Sequence, residues 1–316
     1  MMLDQHETTQ ALVELVQALR EDGYAFTTVT PASHAHVNRR PGNERARSIR
    51  DVFGWSRPFD EGLLPSRWVA LMRRANVLAE GADGLRSTIR VSSLDGELFV
   101  HSAYPPEAED AVFFGPDTAR FVSAVIGHLD TRTSPLRRAV DIGCGSGAAG
   151  IAVAKRAPDA EVVLVDVNPA ALRLAGVNAK LAAVTVEPRQ SNLLSAVEGS
   201  FDLIVSNPPF MVDRLGRAYR HGGGAAGEGL SLAVVEAAAE RLAPGGSLVL
   251  FTGAVIVDGE DAFRKAATAV CERAGLDWAY REFDSDAYGE ELADPAYAKA
   301  DRIALVVLTA TRRHQP

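Results

Sequence analysis

The run Val140-Asp141-Ile142-Gly143-Cys144-Gly145-Ser146-Gly147-Ala148-Ala149-Gly150 constrains this chain more than any other stretch. A short apolar strand pattern stops at Ile142, glycines alternate with small residues, and an alanine-rich helical pattern begins at Ala148. Glycines at such a junction permit positive backbone dihedrals and let a ligand come close to the main chain. Strand-like runs at Arg138–Ile142, Glu161–Asp166, Ala183–Pro188, Asp202–Ser206 and Ser247–Thr252 surround it. Helical patterns alternate with them at Pro116–Leu129, Ala148–Arg156, Pro169–Lys180, Glu228–Leu242 and Glu260–Ala274. This alternation predicts an α/β, Rossmann-like, doubly wound sheet with helices on both faces. Asp277–Asp284 and Asp301–Thr309 lack a long helix between them, which predicts an antiparallel hairpin at the sheet edge and a seven-stranded sheet.

Residues 1–110 read differently. Leu12, Leu15, Val16 and Leu19 recur at helical spacing after Thr8 and Thr9, with Gly23 as a stop. Ser66 is placed to cap a second helix carrying Trp68, Leu71, Met72, Ala75 and Leu78. Leu85–Val91 and Glu97–Ser102 flank Asp95-Gly96, a dipeptide suited to a tight hairpin turn. Helices followed by a hairpin predict a smaller, winged-helix-like module over 1–110, serving as lid, substrate-binding or dimerisation arm, and a catalytic unit over 111–316.

The glycine run has two readings. Gly145, Gly147 and Gly150 satisfy the G-x-G-x-x-G fingerprint and Asp166 ends the next strand, which suits an NAD-dependent oxidoreductase. Asp141 points away from it, because a pyrophosphate would meet a carboxylate there. So does Asn207-Pro208-Pro209-Phe210, after the fourth strand, which has no role in hydride transfer. Consecutive prolines fix the backbone and bias Asn207 toward an extended conformation. The Asn207 side-chain carbonyl and the Pro208 main-chain carbonyl are then placed to accept two hydrogen bonds from one –NH₂ group. Phe210 offers a flat face for stacking, or for a cation–π contact as charge develops on that nitrogen.

From about Phe113 to Arg312 the chain resembles the class I S-adenosylmethionine-dependent methyltransferases, specifically their small-domain branch with the N-P-P-(Y/F) signature. That branch includes the release-factor glutamine and ribosomal-RNA guanine-N2 enzymes. The resemblance implies that the loop with Asp141, Gly143, Cys144, Gly145 and Gly147 wraps the methionine part of S-adenosyl-L-methionine. It implies that Asp166 binds the ribose hydroxyls, Val167 packs on adenine, and Asn192 with Leu193 meets the adenine amino edge. Asn207 and Pro208 would hold the acceptor nitrogen, with Phe210 beside it. Phe113-Phe114-Gly115-Pro116-Asp117-Thr118 resembles the stretch that lies over the cofactor in the release-factor enzymes, without its arginine and first proline. Tyr219-Arg220-His221 opens a glycine-rich loop directly after the acceptor signature, and is expected to act as a gate that touches substrate.

The expected reaction is N-methylation of an amide or amine, with cyclisation within the cofactor and hydride transfer as remoter alternatives. The net charge of −8 bears on the partner, because phosphate affinity comes mainly from Lys and Arg. The charge is uneven. Nine arginines between Arg39 and Arg74 (39, 40, 45, 47, 50, 57, 67, 73 and 74) face four acids, a local +5, which leaves −13 elsewhere. The acidic remainder favours a small-molecule amine or amide, and the Arg39–Arg74 segment keeps RNA or a protein as the alternative. Cys144 and Cys271 are too few for a disulfide scaffold or a Cys-rich zinc site, and His34-Ala35-His36 lacks further ligands, so no metal is expected. The N-terminal ten residues are polar and no apolar run approaches the ~18–20 residues of a membrane span, so a cytoplasmic protein without membrane contact is expected.

Overall fold

The computed structural model describes residues 5–106, 108–213 and 220–314. The chain opens with α1 (Gln5–Glu21), α2 (Pro31–Asn38), α3 (Ile49–Phe53) and α4 (Ser66–Arg74). Two hairpins follow, β1 (Leu78–Gly81) with β2 (Gly84–Ser87), and β3 (Ile89–Leu94) with β4 (Glu97–Ser102). The second part runs α5 (Pro116–Thr131), β5 (Arg138–Ile142), α6 (Ala148–Arg156), β6 (Glu161–Asp166), α7 (Pro169–Leu181), β7 (Glu187–Gln190) and β8 (Phe201–Ser206). It ends with α8 (Gly229–Arg241), β9 (Leu242–Val257), β10 (Glu260–Asp261), α9 (Ala262–Arg273), β11 (Leu276–Asp284) and β12 (Arg302–Arg312).

The main sheet has the order β11-β12-β9-β8-β5-β6-β7, with the two-residue β10 added along β9. β5 to β9 are mutually parallel, and β11 and β12 form the expected antiparallel edge. The chain winds outward from β5 to β7 and then crosses back to β8 on the other side of β5. The carboxyl ends of β5 and β8 therefore flank a topological switch point, where open α/β sheets bind ligands. Period-2 alternation divides the strands between two cores. Leu203 and Val205 pack with α5 and α6 on one face, through Phe121, Val125 and Ile151. Val140, Ile142 and Ile204 pack with α8 and α9 on the other, through Val235, Ala238 and Phe263.

The N-terminal elements share a third core with α7. Leu12, Leu15, Phe53, Trp68, Met72, Val91 and Val100 pack against Ala171, Leu174, Val177 and Leu181. One face of α7 thus meets the sheet while another carries the module. Glu97 in β4 pairs with Lys155, and Asp95 pairs with Arg156 at 3.0 Å, which fixes the hairpin to the end of α6.

Three boundaries differ from the sequence expectation. The hairpin around Asp95-Gly96 is present, but its first strand is Ile89–Leu94 rather than Leu85–Val91. Leu85 instead pairs with Phe59 and belongs to the preceding hairpin, which the pattern did not show. The strand expected at Ala183–Pro188 is Glu187–Gln190, because residues 182–184 complete the end of α7, where Val184 N–H donates to the Ala179 carbonyl. α2 and α3 were not anticipated, being too short to show a helical period.

Leu174 is 4% exposed at the junction between α7 and the N-terminal core. Leu174→Ala is expected to cost roughly 2–5 kcal/mol in chemical denaturation. A loss below about 1 kcal/mol would show that the module is not tightly seated on α7.

Candidate active site

The glycine loop leaves β5 at Ile142 and enters α6 at Ala148. Gly143, Gly145 and Gly147 have φ of 68°, 52° and 79°, values that side chains with a Cβ resist. A Cβ at Gly143 or Gly145 would stand in open space, and both residues line a cavity of about 340 Å³. The loop therefore presents bare main chain to that cavity. Gly147 is the N-cap of α6 and has no side chain with which to cap it. Asp141 does so from the strand below: Gly150 N–H donates to its Oδ2 at 2.9 Å.

Asp141 is 1% exposed, does not line the cavity, and its Oδ1 has no protein partner. Its carboxyl holds the start of α6 beneath the loop. Burial pushes its carboxyl up to about 7, with the nearby Asp166 adding to the shift.

Asp166 sits at the end of β6. Its Oδ2 accepts Gly145 N–H and its Oδ1 accepts Asn168 N–H, both at 2.9 Å. Each oxygen keeps a further lone pair for a ligand hydroxyl. Burial raises its pKa. Val167 follows it, 53% exposed against the same cavity, an apolar surface left uncovered. Asn192 and Leu193 line the cavity next to it, and Leu193 holds a φ of 50°, an uncommon conformation for leucine of the kind that collects at ligand sites. Cys144 also lines the cavity, with its thiol pushed far up by burial and so inert as a nucleophile.

At the end of β8, Ser206 donates to the Ile142 carbonyl at 2.8 Å and ties this strand to the glycine loop. Asn207, Pro208 and Phe210 then reach the cavity wall. The Oδ1 of Asn207 is buried and has no protein partner, at a residue that lines the cavity. Phe210 is held by Gly253, where a Cβ would approach its ring to 2.4 Å, and by the edge of Tyr288, with centroids 5.7 Å apart at 66°.

The loop beyond divides the three expected substrate contacts. Tyr219 lies outside the described residues. Arg220 lines the cavity and pairs with Glu291 at 2.6 Å. His221 is exposed, does not line the cavity, and its Nδ1 accepts Asp213 N–H at 3.3 Å. The described part of the loop is anchored: Met211 N–H donates to the Arg220 carbonyl, and Gly222 N–H to that of Met211. Gly227 packs so closely that a Cβ would fall 2.1 Å from the Phe210 carbonyl oxygen.

Several cavity residues escaped the sequence reading. Tyr288 comes from the connection between β11 and β12, and its hydroxyl donates to Asp117 on α5. Asp117 is raised by burial and also accepts from Arg120, which in turn pairs with Asp284 at 3.0 Å. Thr30 and Pro31, at the start of α2, bring the N-terminal module to the same cavity. Only the segment holding Asp117 gave a signal, through its resemblance.

Four of the nine arginines in the Arg39–Arg74 segment pair with carboxylates. Arg57 is buried against Asp51, Arg45 pairs with Asp60, Arg73 with Glu61 and Arg74 with Glu14, while Arg50 lies over the Phe26 ring. Arg39, Arg40, Arg47 and Arg67 are the exposed remainder of the candidate anion surface. Among the described residues no cluster of three potential metal ligands occurs, and no helix is long and apolar enough to cross a membrane.

Residues 115–257 match the family model of the methyltransferase small domain. The chain is 39% identical over 145 residues to a release factor glutamine methyltransferase of Deinococcus radiodurans, covering 43% of this chain and 51% of the relative. It is 40% identical over 83 residues to a ribosomal RNA small subunit methyltransferase C of Haemophilus influenzae, covering 26% of this chain and 25% of that one. The chain thus spans about half the length of the first relative and a quarter of the second. A solved Pyrococcus horikoshii structure assigned as a transferase superposes with a TM-score of 0.50 at 12% identity, over 79% of this chain and 83% of that one, a likeness of fold.

Asp141 gives the site a pH signature. Its folded pKa of about 7 exceeds the unfolded value, so its stabilising contribution is full at low pH and is lost as pH rises through 7. Asp141→Asn keeps an acceptor for Gly150 without the charge. The variant should gain on wild type from about pH 4 to pH 7 and keep a constant lead above. Parallel stability curves for the two proteins in denaturant titrations would remove this role.

Proposed function

We propose that this chain, whose residues 115–257 match the model of the methyltransferase small domain, is an S-adenosylmethionine-dependent N-methyltransferase acting on a planar amide or amine nitrogen. The observation that carries the reading is the unpartnered Oδ1 of Asn207, buried at the wall of a cavity whose other side is the glycine loop. The donor set fits the cofactor. Asp166 has spare lone pairs for a diol, Val167 an uncovered apolar face, and Gly143 and Gly145 open space beside the main chain. Asn192 and Leu193 would border the adenine.

When bound, the cofactor supplies a methyl group already activated by a sulfonium. The chain's own residues mainly have to align the acceptor. Asn207 Oδ1 accepts one N–H of the acceptor and the Pro208 carbonyl the other, which holds the –NH₂ group in plane and directs its lone pair outward. The same two oxygens stabilise positive charge developing on the nitrogen. Phe210, fixed between Gly253 and Tyr288, gives the acceptor a rigid face. No base is needed before transfer, and the proton released afterwards goes to water.

The cavity volume of about 340 Å³ lies near the bottom of the roughly 300–1,000 Å³ range of ligand pockets. This supports an acceptor group that reaches in from a larger molecule, rather than the enclosed small amine or amide that the acidic balance suggested. The named substrates of the relatives, a release-factor glutamine and ribosomal RNA, support the same reading.

Calorimetry with S-adenosylhomocysteine and with NADH separates this function from hydride transfer: only the first should bind. Asn207→Ala should cut methyl incorporation into glutamine peptides or RNA at least about tenfold while leaving S-adenosylhomocysteine affinity within about twofold. Asp166→Ala should weaken that affinity by about tenfold or more. Equal loss of both properties in both variants would refute the division of roles.

A further inference from the structure

Asn178 stands in the middle of α7, outside the cavity, and the function above makes no use of it. It is 1% exposed. Its Oδ1 accepts Val100 N–H at 2.8 Å, and its Nδ2 donates to the Val100 carbonyl at 3.0 Å and to the Ser146 carbonyl at 2.9 Å. Both N–H groups and the carbonyl of one amide are thus engaged. Val100 sits in β4 opposite Val91 of β3, so the amide takes the place of the next strand along the free edge of the hairpin. Ser146 lies between Gly145 and Gly147 and lines the cavity.

A second contact seats the same loop on the same helix. A Cβ at Gly147 would come 3.0 Å from the Cβ of Ala175, one helical turn before Asn178. Asp166 holds the loop at Gly145 and the Asp141 carboxyl holds the helix start at Gly150, so Asn178 is the contact that fixes the carbonyl between them. The same peptide unit carries Gly147 N–H, which donates to the Cys144 carbonyl at 2.8 Å, so the plane that Asn178 holds is part of the loop's own turn.

We propose that Asn178 is a positioning residue for the cofactor loop, and that by bridging Val100 and Ser146 it makes cofactor affinity depend on the seating of the β3–β4 hairpin on α7. The inference rests on the reading of the cavity as an S-adenosylmethionine site. Because coupling between two parts of a molecule is reciprocal, binding at the loop must also steady the hairpin.

The test uses the full chain and S-adenosylhomocysteine as probe. Asn178→Ala removes all three hydrogen bonds. Asn178→Asp keeps the volume and the acceptor for Val100 N–H but cannot donate to either carbonyl when ionised. Leu276→Ala, in the core near the outer edge of the sheet, is the control for stability lost elsewhere. Calorimetry well below each melting temperature should show both Asn178 variants binding about tenfold or more weakly, and the control within about twofold of wild type. Hydrogen exchange should show that the probe protects Phe99–His101 as well as Ser146–Gly150 in wild type, with the hairpin protection lost in the variants. Unchanged affinity in either folded Asn178 variant, or hairpin exchange indifferent to the probe in wild type, overturns the inference. Failure of wild type to bind the probe at all overturns the proposed function itself.

Discussion

The bond from Gly150 N–H to the Asp141 carboxyl carries much of what surrounds it. A helix start needs its first N–H groups satisfied, and a glycine N-cap brings no side chain to do so. Here the strand supplies the acceptor from underneath, which frees the loop to consist of glycines with bare main chain toward the cavity. Glycine loops lose more conformational freedom on folding than any other sequence. That cost is offset by fixed partners on several sides: Asp141 below, Asp166 beside and Asn178 behind. The uncompensated Oδ1 and the raised pKa of Asp141 are the electrostatic cost of placing a carboxyl where the helix, not a ligand, uses it.

From that turn the site extends across the switch point of the sheet. β5 delivers the loop, β6 delivers Asp166, and β8 delivers Asn207, all at carboxyl ends that face the same crevice. Ser206 locks β8 to Ile142, so the acceptor signature and the cofactor loop keep a constant separation. The remaining walls come from irregular segments, where rigidity has to be built from side chains. Tyr288 is braced by Asp117, Asp117 by Arg120, and Arg220 by Glu291. Such polar contacts hold Tyr288 and Arg220 in place at the cavity edge.

The legible parts of the site were those that chemistry compresses into adjacent residues. A loop needing positive φ announces itself as Gly143, Gly145 and Gly147, and a rigid acceptor turn as Asn207-Pro208-Pro209-Phe210. Long alternating elements such as α5, β6 and α9 were placed nearly to the residue, because each buries a continuous face. Less legible were short elements whose pairing is decided elsewhere. Leu85 pairs with Glu80 across the turn at Ala82-Asp83, and it also meets Phe59 in a bridge from far along the chain that no local pattern records. Arginine composition likewise left the pairing unseen, since counting charges does not show which carboxylates Arg45, Arg57, Arg73 and Arg74 meet.

By itself the sequence determined the doubly wound sheet, the glycine turn and the rigid Asn-Pro-Pro-Phe turn, because each rests on local backbone preference and on the period of apolar residues. Tertiary structure alone decided which groups share the cavity. Thr30, Asp117, Phe210 and Tyr288 are far apart along the chain and meet only when α2, α5, the β8 end and the β11–β12 connection close on one another. It also decided that Asp141 caps the start of α6, and that Asn178 joins the N-terminal hairpin to the loop. Both outcomes depend on what lies across a packed interface, a distance in space that no spacing in the chain records.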